Sequence, residues 1–429
     1  MFKKYLFILL FVTSLASISF GQVAKSAFSS LGIGEPYSNA LVNTQGMGGV
    51  GIANSQSYYL NNQNPALMVY NSYASFGAGF VGERRSVRNG NLTEKNSNGN
   101  LGYLYMAFPM LPRTKNLSTT RWSSSLVLMP YSNVNYKLTY TKPLEGSQSL
   151  GAVTVTESGS GGINQLVWAN GVSVNRYISV GIKARYLFGA RIDQYSEFVN
   201  QAPTYQPNLY ERQRYSDFNF TGGISFHKDS ISSKNYRLNL GLIYDLKTNV
   251  KTTYYRRLER LSGAQVVDSA TLVRDRIGNT VLPPSLGAGF SIGRRGWRVA
   301  GDVIYTDYKK FRNDFESKAS TQSTMHYGLG GEFTPYTLTK SYLSRITYRA
   351  GATYDDFPYL IPVVQGGPAK DVGINLGISL PVSTYSSIDL AVKVGKRGDL
   401  KTNGIAEDYF RIYFGATFND IWFYRRKFE

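Results

Sequence analysis

Val372-Gly373-Ile374-Asn375-Leu376-Gly377-Ile378-Ser379-Leu380 alternates without a slip: every second residue is aliphatic, and those between are Gly, Asn or Ser. Successive side chains of a strand point to opposite faces, so this segment has one oily face and one small, polar face. The pattern recurs at residues 236–246, where Leu238, Leu240, Leu242, Tyr244 and Leu246 oppose Arg237, Asn239, Gly241 and Asp245. Residues 178–188 place Lys183 and Arg185 on the polar side, and residues 297–305 set Val299 and Val303 against Arg298 and Asp302. Residues 346–354 oppose Arg345, Thr347, Arg349 and Thr353, while residues 388–394 oppose Asp389 and Lys393. A soluble sandwich alternates as well. Here, however, the apolar faces end in Tyr244, Phe188, Tyr305 and Tyr354, as girdles at a membrane interface do.

Composition fits an interface better than an aqueous surface. The chain holds 33 Tyr, 23 Phe and 43 Gly against only 17% charged residues, and tyrosine suits a boundary that is apolar in its body and wet at its tip. Residues 1–21 read as a signal peptide: two lysines, an apolar run, then Ser19-Phe20-Gly21 before Gln22. No later stretch approaches ~18 consecutive apolar residues, so helical membrane spans are excluded. Zero cysteines exclude a disulfide framework, a thiol nucleophile and a cysteine-ligated metal. Net charge is +19, or +17 once Lys3 and Lys4 leave with the signal. The basic residues are dispersed and form no five-residue run, so nucleic acid is not an expected partner; outer-membrane lipid and lipopolysaccharide are.

Strands are expected at 72–85, 99–109, 120–140, 163–174, 177–197, 209–228, 235–257, 268–292, 296–308, 322–334, 343–356, 371–381, 386–396 and 406–418. The reading is an all-β, transmembrane antiparallel β-barrel of about 14 strands over residues 72–418, localised to the bacterial outer membrane, with a C-terminal periplasmic tail at 419–429. Connections alternate in length. Asn175-Arg176, 293–296 and 381–385 are short turns, whereas 86–98, 200–208, 258–267 and 357–370 read as long external loops. A barrel this wide needs its lumen plugged or lined, and residues 22–71, rich in Gly, Ser, Asn and Ala and without alternation, are the expected N-terminal plug, or hatch.

That segment carries Gly46-Met47-Gly48-Gly49, a spacer, then Asn64-Pro65-Ala66 immediately before the first strand. The order resembles the hatch of the FadL/TodX family of long-chain fatty-acid and hydrocarbon transporters, and the ending Phe418-Asn419-Asp420-Ile421-Trp422-Phe423 with its basic tail is similar to Bacteroidetes members of that group. The resemblance spans the whole chain in architecture and the hatch and chain ends in motif. It implies a hatch filling the lumen and a kinked third strand opening a lateral path. Pro130, beside Tyr131 and Ser132, lies in the third expected strand and lacks the N–H a ladder needs, so a bulge or kink is expected there, with or without a role in transport.

Lys183, Arg185, Arg237, Arg298, Arg345 and Arg349 are expected to point into the lumen near the periplasmic end. Two uses are open: holding a carboxylate-bearing ligand or the hatch backbone, or pairing with Asp245, Asp302, Glu332 and Asp389. The structural use is favoured. His227 and His326 are the only histidines and no serine nucleophile motif accompanies them, so no enzyme, metal or cofactor is expected. Three functions follow: uptake of hydrophobic or amphipathic small molecules through a plugged barrel, a secretion or assembly partner docking protein through external loops, or a general porin.

Overall fold

The computed structural model describes residues 24–111, 121–143, 152–199, 205–229, 231, 235–263, 265–316, 320–335, 341–360, 368–383 and 385–420. The expected signal peptide and residues 421–429 of the expected tail lie outside the described residues.

Fourteen antiparallel strands form the wall. They are β1 (Ala74–Asn89), β2 (Leu92–Pro109), β3 (Trp122–Pro143), β4 (Ala152–Ser173), β5 (Ile178–Val199) and β6 (Gln206–Lys228). Next come β7, interrupted between Arg237–Asp245 and Thr248–Ser262, and β8, interrupted between Gln265–Leu282 and Ser285–Arg294. The last six are β9 (Trp297–Thr306), β10 (Thr324–Phe333), β11 (Thr347–Asp356), β12 (Lys370–Pro381), β13 (Ser387–Arg397) and β14 (Ile405–Asp420). The break in β8 falls at Pro283-Pro284, where two consecutive residues have no N–H to give a neighbouring strand. Strand β14 pairs with β1 from Ile405↔Asn89 to Asp420↔Ala74, which closes the barrel and leaves no edge at the seam.

Alternation sorts the side chains as a membrane demands. Outward positions such as Trp168, Ile182, Phe220, Leu242, Leu329, Ile374 and Ile412 are exposed and apolar, whereas inward positions such as Arg85, Gln165, Thr252, Thr280 and Glu407 are polar and fully buried. This is the inverse of a soluble protein, and an apolar belt of that extent is stable only in lipid. The chain is an outer-membrane β-barrel. It is also lopsided: β3 to β6 have 22 or 23 residues, against 10 to 12 in β9 to β13.

Two expected long loops are corrected. Residues 86–98 and 258–267 continue their hairpins, turning at Gly90-Asn91 and beyond Gly263 with register from Asn89↔Leu92 and Ser262↔Gln265. Outside the bilayer both faces of a hairpin meet water, so pairing persists without the alternation that marks the lower strands. Strand β4 likewise starts earlier than expected, and β14 runs to Asp420, past the expected start of the tail.

Residues 24–71 occupy the interior and press their backbone against the wall where it has no side chains. A Cβ added at Gly330 would lie 2.0 Å from the Met47 carbonyl oxygen, and one at Gly241 2.0 Å from that of Ile52. A Cβ added at Gly351 would likewise collide with the Met47 backbone, one at Gly171 or Gly181 with the Pro65 carbonyl group, and one at Gly377 would lie 2.8 Å from the Gly46 Cα. Register links several of these into a girdle, with Gly171 opposite Gly181, Gly181 opposite Gly223, Gly241 opposite Gly289 and Gly330 opposite Gly351.

Gly330→Leu should therefore expel the segment or strain the wall, lowering stability to urea by about 1–3 kcal/mol and opening an ion current in planar bilayers. Gly222→Leu, at a position with open space around it, should do neither.

Candidate functional site

The plug is folded by its own asparagines. Asn64 caps the short 3-10 helix Pro65–Tyr70, its Oδ1 accepting from the Ala66 N–H at 3.0 Å while its Nδ2 donates to the Ile52 carbonyl at 2.8 Å. Proline follows at the first helical position, where a missing N–H costs nothing. Asn61 donates to the carbonyls of Gly51 at 2.6 Å and Asn54 at 3.0 Å, and its Oδ1 receives the N–H groups of Gln63 and Asn64. Gly48 and Gly49 have φ of 73° and 71°, a left-handed turn that favours glycine. Gly46 needs its bareness for a different reason, its approach to Gly377. Thus Gly46, Gly48, Gly49, Asn64, Pro65 and Ala66 each have a structural cause.

Wall side chains reach in to complete the plug's hydrogen bonds. Asp302 accepts from the N–H groups of Gly51 and Ile52 at 2.6 and 2.9 Å, and Asn375 donates to the Gln45 carbonyl at 2.8 Å. Lys183 donates to the carbonyls of Asn62 and Gln63 at 3.0 and 3.3 Å. Arg298 holds Asn54 Oδ1 at 2.7 Å and the Ser55 carbonyl at 2.6 Å. Buried backbone groups left unpaired would each cost roughly 1–3 kcal/mol, so these contacts fix where the segment can sit.

Nearer the external side lies an ionic cluster that sequence reasoning missed. Glu35, in the plug, meets Arg397 at 2.7 Å, Arg411 at 2.8 Å and Arg85 at 3.1 Å. Arg85, with no exposed surface, also pairs with Glu83 at 2.7 Å and Glu407 at 2.8 Å, and Arg397 pairs with Asp371 at 2.7 Å. Burial pushes the Glu35 carboxyl up, but the guanidiniums of Arg397, Arg85 and Arg411 outweigh it and hold the group well below the ordinary carboxylate value.

The cluster sits beside a break in the wall. Strands β2 and β3 pair only from Leu104↔Leu128 to Pro109↔Ser123. Beyond that level β2 continues with β1 as far as Leu92, and β3 continues with β4 as far as Pro143. The β3–β4 register shifts between Pro130 and Ser132, and at this bulge Tyr131 packs against the buried cluster that contains Ile33, Ile163 and Leu187. Into the break comes the plug itself, with Glu35 paired to Asn133 and Pro36 to Ser132. Behind it is a cavity of about 50 Å³ lined by Glu35, Tyr37, Val81, Asn133, Arg411 and Tyr413 among others, room for a few waters. Below, the inner faces of β2, β3 and β4 turn apolar: Tyr103, Tyr105, Val127, Met129, Val167 and Ala169 pack against Leu41, Val42, Leu60 and Met68 of the plug.

Of the six basic residues read from alternation, four face the lumen. Lys183 and Arg298 hold the plug, Arg185 pairs with Asp245 at 2.7 Å and also meets Asn219, and Arg349 pairs with Glu332 at 3.2 Å and contacts Ser379. Arg237 is corrected: it begins β7 at the rim, is exposed and pairs with Asp229. Arg345 is also corrected, because residues Leu343–Arg345 form a 3-10 turn before β11 and its guanidinium lies over Tyr342. Asp302 serves the plug's backbone and not a basic side chain. His326 contacts Asp355, and the His227 ring packs against Tyr70. Among the described residues no group of three or more metal-ligating side chains occurs.

A family model described as BamG matches residues 1–429. The chain belongs to the BamG family. No curated protein sequence matches it significantly. Among solved structures, the Pseudomonas putida toluene transporter TodX aligns with a TM-score of 0.55 at 14% identity, over 94% of this chain and 100% of that one. The Ralstonia pickettii toluene transporter TbuX gives 0.56 at 11%, over 89% and 99%, and the CymD monoaromatic hydrocarbon channel 0.54 at 14%, over 90% and 98%. At such identities the likeness is one of fold: this BamG-family chain has the FadL/TodX-type barrel of the Gram-negative outer membrane.

Glu35→Gln should cost about 3–5 kcal/mol, because it leaves buried guanidiniums short of a partner. The Glu35 value is depressed on folding, so its stabilisation is complete above the ordinary carboxylate range and is lost as pH falls through the depressed value. Urea unfolding should separate variant from wild type at neutral pH and bring them together in acid.

Proposed function

We propose that this barrel carries hydrophobic or amphipathic small molecules, of the long-chain fatty-acid or hydrocarbon class, across the outer membrane by way of the break between β2 and β3. The single observation that carries the reading is the ladder that stops at Leu104↔Leu128 while both strands continue with their other neighbours. A wall that needed only to be sealed would keep pairing, since unpaired backbone facing lipid costs several kcal/mol per group. Here what meets β3 at the break is held non-covalently, a two-residue strand of the plug. Apolar inner faces on β2 to β4 add support, because lifting Leu41, Val42, Leu60 and Met68 would bare an oily surface next to the break. A cavity of about 50 Å³ holds no such solute, against the ~300 Å³ or more of ordinary ligand sites, so passage requires the plug to move.

Nothing in this reading uses covalent chemistry; the side chains orient and release a segment. A general porin is the weaker alternative, because residues 24–71 would have to leave the lumen altogether. Docking of a secretion or assembly partner is favoured by one separate feature. Among the described residues, β8 from Gln265 to Gly278 pairs with β7 along one edge only, and an open edge accepts a strand from another protein.

The absence of cysteine makes the transport reading testable. Pro36→Cys with Ser132→Cys, positions paired between the plug and β3 at the break, should form a disulfide that reduces liposome uptake of a labelled fatty acid to the level of empty liposomes, with recovery on reduction. Equal uptake in oxidised and reduced protein would remove passage through the break, and no uptake by wild type would remove transport itself.

A further inference from the structure

We propose that the outside of the barrel carries a site for the phosphate of an anionic outer-leaflet lipid, built from Arg214 on β6 and Lys251 on β7. The argument starts from where the oil ends. On β5 the outward residues run Ile178, Val180, Ile182, Ala184, Tyr186 and Phe188, then reach Ala190. On β6 they run Phe226, Ile224, Gly222, Phe220 and Phe218, then reach Ser216 and Arg214. The two series stop at one level, because Phe188 pairs with Ser216 and Ala190 with Arg214. From the turn before Ile178 to Ala190 is ~40 Å of strand, or ~30 Å of height at the tilt of such barrels, which is the thickness of the hydrocarbon. Arg214 and Lys251 therefore stand at the headgroup level of the outer leaflet.

An open depression lies there, lined by Ala190, Arg214, Ser216, Lys251 and Thr253 among others. Its floor is shallow because Gly189 and Ala190 offer almost no side chain. Both cations are exposed. Among the described residues neither side chain makes an ion pair or hydrogen bond, whereas the next outward arginine, Arg212, lies over Tyr255 at 5.1 Å and reaches Asp275 at 4.0 Å. The adjacent carboxylate, Asp217, is occupied by the backbone N–H groups of Phe218 and Lys251 at 2.8 and 3.1 Å. The hydroxyl of Ser216 meets that of Tyr186 at 2.9 Å, and Thr253 adds a second hydroxyl at the rim of the depression. A guanidinium fork, an ammonium and hydroxyls around a shallow floor form a donor set for phosphate. Below them Tyr186, Phe188 and Phe218 pack into an aromatic collar, with ring centroids 5.1 and 5.9 Å apart, suited to the first carbons of an acyl chain. That collar commits the site to a lipid and not to free phosphate.

Native mass spectrometry of the purified, detergent-solubilised protein tests this with two probes, lipid A and its dephosphorylated form. Wild type should retain lipid A at least roughly tenfold more tightly than the dephosphorylated lipid, the scale of one charge-assisted contact. Arg214→Ala with Lys251→Ala should abolish that preference, while Arg214→Lys with Lys251→Arg keeps it; unchanged heat-dependent gel mobility would confirm that both variants fold. A preference that persists in the double alanine variant, or is absent from wild type, overturns the site. So does competition by millimolar inorganic phosphate as effective as lipid A.

Discussion

The close seat of the plug backbone on a wall stripped of side chains is the constraint from which the rest of this lumen follows. Contacts such as Gly330 with the Met47 carbonyl and Gly241 with the Ile52 carbonyl leave no space for even a methyl group. A backbone pressed that closely must have its N–H and C=O groups satisfied in place, and the wall supplies Asp302, Asn375, Lys183 and Arg298 at the heights required. Bare girdle and polar arms together hold the segment in one pose, which in turn positions Glu35 and Pro36 at the break between β2 and β3.

The break and the ionic cluster then act on one another. Glu35 pairs through its backbone with β3 and through its carboxylate with arginines of β1, β13 and β14. One residue thus ties the plug strand beside the break to three strands around the seam of the barrel. Such buried pairs add little net stability over an apolar core, but they are costly to leave half broken, so the plug strand and its arginine partners hold as a unit.

Much of the barrel was legible in the sequence, because lipid outside and a polar lumen inside impose a period of two that survives in almost every strand below the external rim. Where that constraint lapses, reading failed: residues 86–98 and 258–267 looked like loops because both faces of those hairpins meet water. Alternation carried into a 3-10 turn misplaces Arg345, and Arg237, a first strand residue at the rim, has no lumen to enter. The plug motifs were visible as order and spacing, and Pro130 as a missing donor. The girdle was not, since a glycine in a strand carries no sign of what lies opposite it. Nor was the cluster: Arg85 and Glu35 are 50 positions apart, and Arg411 and Glu35 376. Their pairing depends on register and closure that no local pattern records.

Hydrogen–deuterium exchange of the detergent-solubilised protein measures the seat of the plug most directly. Amides of Gly51, Ile52 and Ala66 should exchange as slowly as those of β4 and β5, because each is bonded inside a filled lumen. Exchange of these amides within seconds while the wall stays protected would show a segment that does not rest on the glycine girdle, and the account of closure built on it would fall.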